Sequence, residues 1–262
     1  MSGATLAAGS RVATDSHTNG ELKERVQETG TLGGMMGSLK VIQLQLVAFI
    51  VVFTASGLVP LIDIAFPLFA TFYAFALNSM VFPSYKSSSR PEVFGGSRLF
   101  QVYVVLGSGI GLFLPLSYVL GGFSRGDRLA VRAASPHLFL LSCQILSENL
   151  ISRLEVFSPP VRAILPIIYT GYRLITLKDW LHATVLKAKL PLDPHFKDVA
   201  WMWFGTGLAA ANFVYYSINL CLFLIPMFLP RAFETYFRDR DAANPESAAQ
   251  KSQMNHTGHK SE

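Results

Sequence analysis

The chain has 262 residues, 51% hydrophobic and only 15% charged, with a formal net charge of +5. Soluble domains carry about a quarter charged residues. Here the apolar residues stand in long blocks with Lys and Arg at their edges, so the basic excess reads as lipid-headgroup and orientation charge and excludes a nucleic-acid surface.

In chain order, residues 1–38 form a polar, Ser/Thr/Gly-rich tail with Asp15, Glu21, Glu24 and Glu28, expected to be disordered and without a cleavable signal. A helix needs about 20 apolar residues to cross a bilayer. Residues 41–62 and 64–85 are uncharged and separated only by Gly57, Pro60 and Asp63, the pattern of a helical hairpin. Asp63 there reads as a helix cap or, alternatively, as a proton carrier. Residues 99–124 give a third span, with Gly107 and Gly111 at small-xxx-small spacing.

Two shorter segments follow. Residues 133–147 are uncharged and contain Pro136, which is expected to start the fourth helix. Residues 161–177 hold Arg162 and Arg173 around an uncharged centre. Both are short for a lone span and call for shielding by other helices. Residues 177–190 place Leu177, Trp180, Leu181, Thr184, Val185 and Ala188 on one stripe. That is either an amphipathic helix on the membrane surface, with Trp180 at headgroup level, or a short helix packed on the bundle. Residues 199–230 give the last span, closed by Pro226 and Pro230, and 239–262 a second polar tail expected to be disordered.

The expected fold is therefore all-α: a polytopic helical membrane bundle over 39–238, with about six transmembrane helices plus one amphipathic surface helix. Lys and Arg are in excess in the segments on the N-terminal side, which predicts a cytosolic N-terminus. The stretch LFLPLSYVL (112–120) is similar to LFLIPMFLP (222–230). This reads as an internal repeat or as a chance likeness in apolar sequence.

Ionisable residues inside a membrane carry a functional hypothesis by default. At 100° per residue, His137, Gln144 and Glu148 share one stripe of the fourth helix. Arg162, Tyr169 and Arg173 repeat the same spacing on the fifth. An antiparallel hairpin brings Glu148 to the depth of Arg162, as an expected ion pair, and His137 to the depth of Arg173. The two stripes either wall a polar path or satisfy each other and fix how the helices dock. In the last span Gly205, Asn212 and Asn219 form an expected helix-packing face flanked by Tyr215 and Tyr216, with Phe204, Val214 and Leu222 turned to lipid. The two cysteines, Cys143 and Cys221, lie in apolar stretches, which excludes a disulfide framework and a Cys-rich metal site. Phosphate-loop, zinc-protease, serine-hydrolase and C-x-x-C motifs are absent, so no catalytic residue, cofactor or metal is expected.

Several phrases carry a family resemblance: GLFLPLSYVLGG (111–122), ASPHLFLLSCQ (134–144), SPPVRAILPIIYTGYRL (158–174) with KDWL (178–181), and GLAAANFVYYSINLCLFLIPMFLPRAF (207–233). Over about residues 40–238 they resemble a plant family of uncharacterised multi-pass membrane proteins built on a domain of unknown function. The resemblance implies a land-plant membrane protein and brings no reaction, ligand or site residue with it. From the residues, two functions are expected. One is a non-enzymatic structural or partner-binding membrane component, resting on the Gly205/Asn212/Asn219 face. The alternative is a small-solute transporter or channel using the stripes of the fourth and fifth helices. The expected partners are the lipid bilayer and either a protein or a small solute.

Overall fold

Proline and glycine punctuate the chain, and the computed structural model places helices between them. It describes residues 43–85, 98–154, 156–187 and 195–243. The tail 1–38 and residues 244–262 of the second tail lie outside the described residues. The chain divides into two compact units, residues 1–48 and 49–262. Of the first, the described part is the opening of α1 (Gln43–Ala55).

Every regular element among the described residues is helical. After α1 come α2 (Leu61–Met80), then α3, which runs from Arg98–Ser108 through a π-helical segment, Gly109–Phe113, into Leu114–Arg125. Next are α4 (Arg128–Arg153) and α5 (Pro159–His182, with a π-helical end at Ala183–Lys187). Last is α6, Phe196–Ile218 continued by the π-helical Asn219–Phe228 and by Leu229–Ala243. The described residues thus hold six helices, of which α2, α3, α4 and α6 contain stretches long and apolar enough to cross a membrane. The described part of α1 is apolar but short. α5 is long enough, but Arg162, Arg173, Lys178 and Asp179 lower its hydropathy.

Two left-handed glycines make the tight turns: Gly57 at φ 65° after α1 and Gly126 at φ 70° after α3. A side chain is disfavoured at such φ, which is why glycine stands there. Asp127 then caps α4, its Oδ1 accepting from the Ala130 amide at 3.0 Å. The fourth helix therefore starts at Arg128, and Pro136 lies inside it, which corrects the expectation that Pro136 begins the helix. Asp63 is likewise not a cap. It sits in the first turn of α2 and accepts the Tyr172 hydroxyl at 2.7 Å, tying α2 to α5. At the other end of α2, Asn78 donates to the Val156 carbonyl at 3.1 Å and accepts from the Ser158 amide at 2.9 Å, pinning the α4–α5 turn.

Residues 188–190 lie outside the described residues, and 177–187 do not form a separate surface helix. No Gly or Pro interrupts 172–187, so α5 continues through them, and Leu177 and Trp180 are fully buried against the bundle. The last helix also passes Pro226 and Pro230 without ending and continues to Ala243.

Burial sorts the helices into layers. The apolar stretch of α4 is 72% buried, against 22–28% for those of α2, α3 and α6. α4 packs on α3 and α5, and α5 packs in turn on α2 and α6. The outer helices keep large apolar side chains exposed, among them Phe69 and Phe72 of α2, Val105 of α3, and Trp203, Val214 and Leu222 of α6.

Candidate functional site

Pro115 leaves a gap in the backbone bonding of α3, and two buried polar side chains fill it. In the π-helical segment the Leu114 amide reaches back to the Gly109 carbonyl, so the Ile110 carbonyl loses its usual donor. Pro115 has no N–H to offer either Ile110 or Gly111. Asn212 of α6 donates to the Ile110 carbonyl at 2.9 Å and to Leu208 at 2.9 Å. His137 of α4 places Nε2 2.9 Å from the Gly111 carbonyl. A carbonyl only accepts, so Nε2 carries the proton.

The helices approach closely at this level because glycines face tyrosines. A Cβ on Gly107 or Gly111 of α3 would overlap the hydroxyl of Tyr215 or Tyr216, and one on Gly205 of α6 would overlap Tyr118. Gly205 and Asn212 thus turn inward against α3, Asn212 being fully buried. Phe204, Val214 and Leu222 point outward at 40%, 55% and 59% exposure.

Below His137 lies Arg173 of α5, only 1% exposed. Its guanidinium carbon stands 3.9 Å from the centre of the Tyr216 ring, a cation–π contact. His137 packs 5.6 Å from the same ring and 6.0 Å from Trp180. Among the described residues, Arg173 Nε and Nη1, His137 Nδ1, Trp180 Nε1 and Asn212 Oδ1 of this layer have no hydrogen-bond partner, and neither does Gln144 Oε1 further along α4.

The other predicted residues take separate partners. Gln144 donates to Glu148 Oε1 at 2.7 Å, within α4. Tyr169 shares a hydrogen bond with Ser147 at 3.1 Å and meets Phe66 edge-on. Arg162 donates to the Phe157 carbonyl at 3.0 Å and the Leu154 carbonyl at 3.5 Å, next to the α4–α5 turn. Glu148 and Arg162 do not form the expected ion pair among the described residues. They line one cavity of about 410 Å³ instead, together with Gln144, Tyr103, Asn219 and apolar residues of α5 and α6. Asn219 therefore belongs to the cavity rather than to the α3 contact. The π-helical segment of α6 supplies that wall through Asn219, Phe223, Leu224 and Phe228.

A model of a domain of unknown function, DUF7733, matches residues 37–237. The chain belongs to that family. The DUF7733 region takes in α1 and continues almost to the end of α6, and it contains every candidate residue from His137 to Asn219. No curated protein and no solved structure matches the chain.

Within the DUF7733 bundle, Tyr216 and Trp180 belong to the polar layer, where the sequence places Tyr216 at the flank of a packing stripe and leaves Trp180 either at headgroup level or packed on the bundle. A signal for Trp180 was present, since it stands seven residues past Arg173 and eleven past Tyr169, on their stripe. For Tyr216 the pairing with Gly111 was not legible, because it depends on how α3 and α6 are rotated.

Proposed function

We propose that this DUF7733 protein is a multi-pass integral membrane protein that holds a small polar solute between α4, α5 and α6, by binding rather than covalent chemistry. The observation that carries the reading is the cavity of about 410 Å³ reaching Gln144, Glu148 and Arg162. Its volume falls in the range of about 300–1,000 Å³ typical of small-molecule sites. Gln144 and Glu148, joined by their own 2.7 Å hydrogen bond, give the cavity a polar wall on α4. The membrane part is supported by the apolar outer faces of α2, α3 and α6, which suit hydrocarbon better than water. α5 then crosses as a shielded span between α2, α4 and α6. The Lys and Arg distribution adds a cytosolic N-terminus, and the phrase-level likeness adds a land-plant origin.

The rival, a structural or partner-binding component, drew on the Gly205/Asn212/Asn219 face. Gly205 and Asn212 are used within the chain and Asn219 lines the cavity, which leaves that face nothing to offer a partner. The test is water access. In a Cys143→Ala/Cys221→Ala background in proteoliposomes, Gln144→Cys is expected to react with a membrane-impermeant methanethiosulfonate reagent. Ala209→Cys, at a fully buried position of α6, is expected to stay unmodified. A Gln144→Cys thiol as inert as the Ala209→Cys thiol rejects the solute-site reading.

A further inference from the structure

We propose a second site, separate from the central cavity: a seat for the phosphate of an anionic lipid at the α3–α4 turn. The inference rests on the membrane reading above, because it needs this turn to lie at headgroup depth. A cavity of about 390 Å³ opens there, lined by Arg128 and Arg132, by Asp127, and by Leu58, Phe123 and Val131. The left-handed Gly126 turns the chain back so that the first turns of α4 stand beside the end of α3.

The charges at this end are divided unevenly. Arg125 is held by Asp198 at 2.7 Å and lies over the Trp201 ring at 5.2 Å. Asp127 is occupied at both oxygens, Oδ1 by the Ala130 amide at 3.0 Å and Oδ2 by Trp201 Nε1 at 3.0 Å. Arg128 and Arg132 are exposed and form no ion pair among the described residues. They are four residues apart on one helix, about 6 Å along its axis. Two like charges so placed repel each other, and a phosphate between them relieves that repulsion while accepting from both guanidinium forks. Asp127 leaves the lining net positive.

The apolar wall decides between the possible sources of that phosphate. A free phosphate needs only the two arginines. Phe123 is 57% exposed beside them and Leu58 half-buried in the same lining, an apolar surface that suits the glycerol and acyl portion of a lipid. Three crossings from a cytosolic N-terminus put this turn on the non-cytosolic side, so the seat takes the phosphate of a lipid in that leaflet, through charge-assisted hydrogen bonds from the two guanidinium groups.

The test uses the full chain, purified in mild detergent and mixed with equal amounts of phosphatidic acid and phosphatidylcholine, with retained lipid counted by native mass spectrometry. Phosphatidic acid is expected to be retained preferentially. Arg128→Gln/Arg132→Gln is expected to abolish most of that preference, since both charged donors to the phosphate are removed. Arg128→Lys/Arg132→Lys is expected to keep most of it, which separates loss of charge from loss of fold. An unchanged preference in the Gln variant overturns the proposal. So does equal retention of the two lipids by the natural chain. Displacement of phosphatidic acid by an equal concentration of inorganic phosphate makes this a free-phosphate site and overturns the lipid assignment. Failure of the membrane reading is seen separately, as release of the chain from membranes by alkaline carbonate.

Discussion

Gly205→Leu is expected to destabilise the bundle by about 3 kcal/mol or more, at the upper end of what overpacking does. A Cβ alone at this position would fall on the Tyr118 ring. That ring is 3% exposed and stacks on Trp201 at 4.7 Å, with Trp180 at 5.7 Å and Phe204 at 5.8 Å. It has no free direction in which to withdraw, so α3 and α6 must separate. Separation would also draw Asn212 away from the Ile110 carbonyl, leaving a buried acceptor without its donor. Gly207 is the control, two residues on, because nothing lies within 4 Å of its added Cβ. There, Gly207→Ala is expected to be neutral or to gain up to about 1 kcal/mol from helix propensity. Unfolding of the two variants in one detergent provides the comparison. Equal stabilities would mean that α3 and α6 are not in close contact at this level.

Arg173→Met is expected to act in the opposite direction, raising stability by about 1–3 kcal/mol, because it removes buried donors that the fold leaves unsatisfied. The guanidinium is 1% exposed, and its recorded hydrogen bond is a marginal 3.5 Å contact with Thr170 Oγ1. Nε and Nη1 have no partner among the described residues, and each unsatisfied buried donor costs roughly 1–3 kcal/mol. Stacking on Tyr216 returns only about 2 kcal/mol when desolvated. The balance is unfavourable to folding. A loss of more than about 2 kcal/mol in Arg173→Met would instead support the reading in which the two polar faces exist to dock α4 on α5.

The sequence carried the helices, the polar stripes and the inward face of α6 better than it carried partners and starts. Uncharged runs and 3.6-residue periodicity are local properties, so α2, α3 and α6 were legible from them. The start of α4 was also written locally, as Gly126 followed by Asp127, a left-handed stop and a cap. Reading by uncharged runs passed over it, because Arg128 and Arg132 lie inside the helix. Amphipathic spacing over 177–187 resembles the start of a new element, yet no residue there breaks α5.

Glu148 and Arg162 show the limit of matched depth as an argument. Equal depth on adjacent helices permits a contact, but local partners compete at lower entropic cost. Gln144 is one turn away from Glu148, and the carbonyls of residues 154 and 157 lie in the turn just before Arg162. The link from Pro115 to His137 and Asn212 could not be read at all. Its first half, a proline inside an apolar helix, is visible in the sequence. Which side chains fill the gap depends on three helices meeting at one level.

The central claim is that apolar outer faces surround a bundle with a polar, water-reached cavity. Spin-label accessibility in lipid vesicles tests both parts in one measurement. Labels are placed singly at Leu222→Cys and Glu148→Cys, again without the native cysteines. The account predicts that the label at 222 relaxes with oxygen and is shielded from a water-soluble nickel chelate, as an outward residue in hydrocarbon must be. The label at 148 is predicted to respond to the nickel chelate, because it opens onto the cavity between α4, α5 and α6. A nickel-accessible label at 222 would contradict the membrane bundle. A label at 148 reached by neither reagent would contradict the cavity, leaving its polar residues as packing alone.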